Sequence, residues 1–316
     1  MSRFRDLPVT EIIQSRSDRP IRLQNLSCPY CRRTLDASVP SNKEHVVGRN
    51  FVPKGKMENQ PQLIFIACRK CNSEKSQLED DISVISMIPG GTSRGAEIDE
   101  VLAGEFKRRA HKSGSRRTGR PVATSHEELL VQSRWGPATF TFRMAAPPQA
   151  DSDRVYRLAQ FHFDAFFYWL HFNGESRRGG FFPSGAYYNV GIFIRGNWGD
   201  AKARWFMNAT AEWPLGVAIT TANGYFRLII RQSPCKRIWA CAVEWNHSIR
   251  VKKLHGDPEA LQTFLETIPD AEEDWVEDDQ GNPVKMTVQR ELDPEEDRLF
   301  VVTMPAPESQ PPEVPQ

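Results

Sequence analysis

Apolar residues recur at helical spacing in two segments of the chain. Between Asn72 and Met87, the residues Leu78, Ile82 and Ile85 are spaced by four and three positions, which places them on one face of a helix. A longer segment begins at Asp153 and stops at Asn173-Gly174. Its apolar positions again share one side: Val155, Leu158, Phe161, Ala165, Trp169 and Leu170. The pattern predicts two amphipathic helices.

Shorter β-rich runs dominate between residues 187 and 254. They cover Tyr187 to Ile194, Val217 to Thr221, Tyr225 to Gln232, Lys236 to Glu244 and Ile249 to Leu254. Asn223-Gly224, between two of these runs, is a strong hairpin signal. Asp257-Pro258 then predicts a helix to about Ile268, with proline at its first position. These elements indicate an α+β domain with a mainly antiparallel sheet.

We place this domain at residues 124–268, and its sequence assigns it no role. Ser125 and Glu128 fit a capping box, which predicts the start of a helix there. The alternation from Ala138 to Met144 predicts a strand.

Four cysteines form two C-x-x-C pairs near the amino terminus. Cys28 and Cys31 make the first pair, and Cys68 and Cys71 make the second. Two such turns supply the four thiolates that a structural zinc ion favours. The 36 residues between Cys31 and Cys68 exceed the spacing of a simple zinc ribbon, so this loop is expected to hold further structure.

An acid-histidine pair, Glu44-His45, lies between the cysteine pairs, and Asn72 follows the second pair. The imidazole of His45 can accept a proton from water near neutral pH. Carboxylate and amide oxygens, as in Glu44 and Asn72, suit Mg²⁺ or Mn²⁺, which would polarise a phosphate. Consecutive strand residues point to opposite faces, so Glu44 and His45 share a cavity only if the backbone bends there.

The stretches Lys43-Glu44-His45-Val46-Val47-Gly48-Arg49 and Leu63 to Lys75 resemble the HNH nuclease family of the ββα-metal superfamily. The resemblance covers about residues 26–88 and predicts an amino-terminal HNH domain over residues 1–88. It implies that His45 is the general base, that Glu44 is a ligand of one catalytic divalent metal, and that Asn72 is a ligand where many members have histidine. An amide ligand favours Mg²⁺ or Mn²⁺ over catalytic zinc.

One position of the HNH pattern has no direct match. The middle asparagine of the motif aligns with Leu63 when Cys68 is fixed, and the nearest substitutes are Gln62 and Asn59. Both alternatives stay open at the level of sequence.

The net charge of +1 hides an asymmetry. Residues 1–268 hold 38 Lys+Arg and 26 Asp+Glu, whereas residues 269–316 hold 3 and 14. A basic body is typical of proteins that bind nucleic acid, so DNA is the expected partner. The acidic, proline-containing segment 269–316 is predicted to be a disordered tail.

The densest basic run, residues 107–120, contains seven Lys+Arg and no acid. Its glycines, serines and like charges predict a flexible basic linker over residues 89–123. The candidate nucleic-acid contacts are Arg49, Lys54, Lys56, Lys70, Lys75, Arg108, Arg109, Arg116, Arg117 and Arg120.

The amino terminus carries no apolar run after Met1, and the most apolar segment, Phe161 to Phe172, is too short to cross a bilayer. Paired cysteines suited to a metal indicate a reducing, cytoplasmic location. The sequence as a whole predicts a metal-dependent HNH endonuclease that hydrolyses DNA. The alternative is a zinc-stapled module that binds nucleic acid without cutting it.

Overall fold

The computed structural model describes residues 13–14, 20–88, 98–135, 138–183, 185–196, 198, 200–269, 274–277, 283–286 and 295–302. Its amino-terminal part contains four strands and two helices. These are β1 (Ile13–Gln14), β2 (Ile21–Arg22), β3 (Ser41–His45), β4 (Leu63–Cys68), α1 (Arg69–Ile85) and α2 (Glu100–Arg109).

Strands β2, β3 and β4 form a small sheet in which β4 is central. β3 runs antiparallel to β4, and β2 runs parallel to it. Helix α1 follows β4 without a loop because Cys68 is extended and serves as its N-cap. The predicted helical face is confirmed, since Leu78, Ile82 and Ile85 are buried. The helix begins three residues before the predicted start at Asn72.

The basic segment after α1 is more structured than a flexible linker. The Asp99 side chain caps α2 by accepting hydrogen bonds from the backbone N–H groups of Val101 and Leu102. Beyond α2, the backbone makes an antiparallel bridge between Gly114 and Pro121. Ala110 and Val122 are buried against the end of α1. These apolar contacts outweigh the charge repulsion that favoured a flexible arm over residues 107–120.

The rest of the chain contains nine strands and three further helices among the described residues. These are β5 (Glu127–Trp135), β6 (Ala138–Ala146), α3 (Ser152–Leu170), β7 (Ala186–Ile194), α4 (Ala201–Thr210), β8 (Leu215–Thr221), β9 (Phe226–Gln232), β10 (Ile238–Trp245), β11 (Ile249–Gly256), α5 (Pro258–Leu265), β12 (Asp274–Glu277) and β13 (Pro283–Met286). β5 and β6 pair with each other, so the helix predicted from the capping box at Ser125 is wrong. The predicted strand from Ala138 is confirmed.

The main sheet has the order β1-β8-β9-β10-β11-β7. Its neighbours are antiparallel except for β1, which pairs with β8 in parallel. The predicted α+β class with a mainly antiparallel sheet is therefore confirmed. Helix α4, which the apolar pattern did not predict, begins after Asp200, whose side chain caps it.

The two faces of the main sheet pack against different elements. On β10, Cys241 and Val243 share a cluster with α3, whereas Ala240 and Ala242 share a cluster with α4 and α5. The α3 cluster also contains Phe65 of β4. The cysteine-bearing unit therefore packs on the same side of the sheet as α3, and one apolar core joins both predicted domains.

Part of the predicted disordered tail has defined structure. β12 and β13 form an antiparallel pair. In residues 295–302, Leu299 is buried, Asp297 makes a 2.5 Å ion pair with Arg250, and the Val301 carbonyl accepts a 2.7 Å hydrogen bond from Arg231. The prediction of disorder is wrong for these residues because an apolar side chain and buried arginines hold them on the α4 side of the sheet. Residues 270–273, 278–282, 287–294 and 303–316 of the tail lie outside the described part.

Candidate functional site

The four cysteines of the C-x-x-C pairs meet at one point. Their Sγ atoms all lie within 4.8 Å of one another, and those of Cys31 and Cys68 are 3.7 Å apart. Four sulfurs at about 2.3 Å from a tetrahedral zinc ion are separated by about 3.8 Å, so the group fits such an ion. Hydrogen bonding with Cys71 lowers the pKa of Cys28 to about 5, which favours the thiolate that binds metal.

This cluster ties together three elements of the amino-terminal unit. Cys28 and Cys31 lie in the turn that precedes β3, Cys68 ends β4, and Cys71 is in the first turn of α1. A metal such as zinc at this position would fix the start of α1 to the small sheet. The sequence prediction of a structural metal site is supported by this geometry.

His45 is the last residue of β3 and is half-buried. Its Nδ1 lies 3.3 Å from Oε1 of Gln62, and the Gln62 Nε2 donates a 3.1 Å hydrogen bond to the Met57 carbonyl. Asn59 is exposed and has a φ of 53°. Of the two substitutes that the sequence left open, Gln62 is therefore the one that contacts the histidine.

The protonation state of His45 follows from its surroundings. Burial lowers the pKa of His45 most. The hydrogen bond with Gln62 opposes this, the charges of Lys43 and Arg49 lower the pKa further, and Glu44 has a smaller raising effect. The imidazole is therefore neutral at neutral pH. A neutral imidazole can accept a proton.

Glu44 points away from His45 and into the core. It is 4% exposed, it makes a 2.9 Å ion pair with Nζ of Lys75, and it accepts a 3.1 Å hydrogen bond from the Tyr30 hydroxyl. The pairing of β3 with β4 is regular through Glu44 and His45, so the strand does not bend to bring them to one face.

Lys75 connects Glu44 to a second carboxylate. Its Nζ is 2.6 Å from Glu79 Oε1 and donates a longer hydrogen bond of 3.4 Å to the His45 carbonyl. Burial alone lowers the pKa of Lys75, but Glu79 and Glu44 outweigh it and hold the ammonium charged. Lys75 is 1% exposed. It is thus a core residue, and its predicted role in contacting nucleic acid is wrong.

Replacing Lys75 with methionine is expected to destabilise the protein by about 3–5 kcal/mol, because it leaves the buried Glu44 and the partly buried Glu79 without their cation. Denaturant unfolding of Lys75→Met and of the exposed Lys70→Met measures this. The control substitution is expected to change the free energy of unfolding by less than about 0.5 kcal/mol. Equal stability of the two variants would show that the buried cluster contributes little.

Asn72 lies one turn before Lys75 on α1 and faces β3. Its Nδ2 donates a 2.8 Å hydrogen bond to Asn42 Oδ1 and a 3.3 Å hydrogen bond to the Lys43 carbonyl. Within the described residues, no hydrogen bond joins Asn72 to Glu44. The Glu44 carboxylate is already bonded to Lys75 and Tyr30. The pair therefore does not fit the predicted catalytic Mg²⁺ or Mn²⁺ site in this arrangement.

A cationic cleft reaches Gln62, the residue that contacts His45, but His45 itself does not line it. The cleft has a volume of about 620 Å³, and its lining includes Gln62, Arg49, Lys54 and Arg108. A second cleft of about 570 Å³ adjoins it between α1 and α2, shares Arg49 and Arg108 with it, and extends to Arg116. Five of the ten predicted nucleic-acid contacts, Arg49, Lys54, Arg108, Arg109 and Arg116, thus line one continuous surface, which we call the basic cleft.

The predicted nucleic-acid contacts differ in whether their side chains already bond other groups of the protein. Arg109 lines the basic cleft, but its guanidinium donates to the Asn50 carbonyl at 2.6 Å and to Ser83 Oγ at 2.7 Å. Arg116 lies 3.7 Å from Asp80, and Arg108 pairs with Glu105 at 2.5 Å. Four further candidates line neither cleft: Lys56, Lys70, Arg117 and Arg120. Lys56 is half-buried, and the other three are exposed.

Comparisons of this chain with models of protein families, with curated proteins and with solved structures give no match. Among the described residues, no helix is long and apolar enough to cross a membrane.

Proposed function

We propose that the chain is an HNH-type endonuclease that hydrolyses phosphodiester bonds in DNA, with His45 as its general base. The observation that carries the proposal is that Gln62, which contacts His45, lines the basic cleft. Such a cleft attracts a phosphate backbone whatever its sequence. A base beside a bound phosphodiester is the arrangement that hydrolysis needs.

The orientation of Gln62 supports the role of His45. Because Gln62 Nε2 donates to the Met57 carbonyl, its Oε1 faces the imidazole and accepts from Nδ1–H. The proton then resides on Nδ1, and Nε2 keeps the lone pair that would take a proton from water. Gln62 acts in this proposal as a positioning residue, in the place of the middle asparagine of the HNH motif.

The cations of the basic cleft supply the charge that a phosphodiester requires. Arg49 and Lys54 are exposed there, and neither makes an ion pair among the described residues. They would bind the phosphate backbone and hold the scissile bond near His45. Charge that develops on the phosphate oxygens would be stabilised by the same groups.

A divalent metal remains part of the proposal because the HNH resemblance implies one. Mg²⁺ or Mn²⁺ would supply Lewis-acid assistance to the phosphate. It needs ligands other than the Glu44 and Asn72 pair as arranged here, since Lys75 and Tyr30 hold the Glu44 carboxylate. We therefore assign no step to the metal.

A second candidate is the zinc-stapled module that binds nucleic acid without cutting it. The buried Glu44-Lys75-Glu79 cluster favours this alternative, because it neutralises the carboxylate that the nuclease would need as a ligand. The basic cleft serves both candidates equally. Cleavage is therefore what separates them.

Purified protein incubated with supercoiled plasmid decides between the two. We expect nicked and linear DNA with Mg²⁺ or Mn²⁺ and intact plasmid with EDTA. The structural zinc content is measured in each sample, so that loss of folding is not mistaken for loss of a catalytic metal. Plasmid that is bound in a gel-shift assay but never cut with either metal would favour the binding module.

A further inference from the structure

A separate polar cavity of about 450 Å³ lies on the α3 side of the main sheet. Its walls come from α3, β7, β11 and the turn that carries Arg32. We call it the α3–β11 pocket and define it by Arg32, Tyr156, Gln160, Asn189, Lys253 and His255. Its volume is in the range of small-molecule sites, about 300–1,000 Å³.

Lys253 is a buried cation at the wall of this pocket. It is 6% exposed, and its ammonium donates a 2.6 Å hydrogen bond to Gln160 Oε1. The other amide atom of Gln160, Nε2, donates at 2.7 Å to Asp164 Oδ1. Lys253 therefore hydrogen-bonds the neutral amide of Gln160, and this amide in turn hydrogen-bonds the carboxylate of Asp164. A buried ammonium has three hydrogens to satisfy, and an anion is the partner it lacks.

Two cations in the pocket wall, Arg32 and Lys253, make no ion pair among the described residues. The lining also contains Arg157, Asp153 and Asp164, all on α3. Burial raises the pKa of Asp164 to about 7, so this acid is only partly ionised at neutral pH. Arg157 is paired with Glu74 of α1 at 2.7 Å.

Two polar atoms in the wall have no partner. Within the described residues, Asn189 Oδ1 and His255 Nε2 are buried and make no hydrogen bond. His255 is 7% exposed, and burial lowers its pKa to about 3, so its ring is neutral. Buried polar atoms of this kind are normally satisfied, and a bound molecule would satisfy both.

Aromatic groups complete the pocket. The ring of His255 stacks on Phe182 with centroids 4.1 Å apart, and Tyr187 is 62% exposed at the rim. The ammonium of Lys253 lies 4.1 Å from the centroid of the Tyr187 ring. The pocket therefore places a cation beside the exposed ring of Tyr187, on which a planar ring could stack.

We infer that the α3–β11 pocket binds a mononucleotide, with the phosphate on Lys253 and the base against the ring of Tyr187. Asn189 Oδ1 would accept a hydrogen bond from a sugar hydroxyl or from a base amino group. This inference does not rest on the proposed nuclease activity, because no residue of the pocket belongs to the His45 site or lines the basic cleft.

Calorimetric titration of the full chain with AMP, GMP, CMP and UMP tests the inference. At least one of them is expected to bind with a Kd below about 1 mM, and adenosine and inorganic phosphate alone are expected to bind at least tenfold more weakly. Lys253→Met is expected to weaken mononucleotide binding by at least about tenfold, since it removes a charge-assisted hydrogen bond. The matched control, Lys236→Met at the exposed turn between β9 and β10, is expected to bind as the parent does.

A second variant keeps the test decisive if Lys253→Met fails to fold, which a thermal unfolding curve would reveal. Tyr187→Ala alters an exposed ring, so it is expected to fold normally and to weaken binding by about fivefold or more. No binding of any of the four mononucleotides would overturn the inference. Affinity unchanged in both variants, or inorganic phosphate binding as tightly as the mononucleotides, would overturn it as well.

Discussion

Replacing His45 with alanine is expected to lower the rate of plasmid cleavage by about 10²–10⁴-fold, because general-base catalysis typically contributes that much. The Nδ1 of the imidazole contacts Gln62. His45 does not line the basic cleft, so its removal leaves the groups that would bind DNA in place. DNA binding and thermal stability should therefore change little. Initial rates of nicking and gel-shift affinities, measured on the same preparations, check both parts of the prediction.

The control for this prediction is His111→Ala, which removes an exposed histidine just after α2. It is expected to cut at the parent rate. The pH profile adds a second readout: because burial lowers the pKa of His45, the base stays neutral at pH 7, and the rate should fall only on the acidic side of the ordinary histidine range. Cleavage by His45→Ala at the parent rate would assign His45 a structural role.

Loss of the metal at the four cysteines is expected to unfold most of the chain. Structural zinc contributes an apparent 10–16 kcal/mol, about as much as the whole stability of a typical domain. The core that holds Cys68 and Cys71 also holds α3 and the main sheet, so the loss should spread beyond the small sheet.

Cys68→Ser, compared with Cys235→Ser, tests this expectation. Cys235 is exposed and lies outside the cysteine cluster, so its replacement should leave zinc content and the unfolding temperature unchanged. Cys68→Ser should lose zinc and the cooperative thermal transition, measured by elemental analysis and circular dichroism. A zinc-free Cys68→Ser protein that still unfolds cooperatively at the parent temperature would contradict the expectation.

Local patterns predicted the elements whose signal is repeated along many residues. The spacing of Leu78, Ile82 and Ile85 predicted α1 because one helical face is buried along its length. The C-x-x-C spacing predicted the cysteine cluster because each turn holds its two cysteines close together. Only the approach of one pair to the other depended on the fold. Five of the six strands of the main sheet, β7 to β11, were predicted for the same reason, whereas β1 was not.

The features that the sequence did not predict depend on contacts between residues that are far apart in the chain. The capping box at Ser125 failed because β5 pairs with β6, and pairing outweighs a local helix signal. Lys75 was assigned to the surface because nothing near it in the sequence shows that Glu44 would be its partner. Gln62 and Asn59 were equal candidates until the fold placed one of them against His45.

The predicted disorder and flexibility failed where a few apolar side chains were enough to order a charged segment. Leu299 fixes residues 295–302, and Ala110 and Val122 fix the basic segment after α2. The composition of a segment gives its charge. It does not show whether a few apolar side chains, such as Leu299, hold part of the segment in a defined structure.

The shared core has a consequence for protein engineering. Phe51 packs edge-on against Trp245 of β10, Tyr30 packs against Phe161 of α3, and the Phe51 carbonyl accepts a hydrogen bond from the buried Asn246. Residues 1–88 excised alone would expose these aromatic faces to water and leave polar groups without partners. The amino-terminal unit is therefore unsuited to transfer as an isolated module, and a fusion to another protein would have to carry α3 and the main sheet with it.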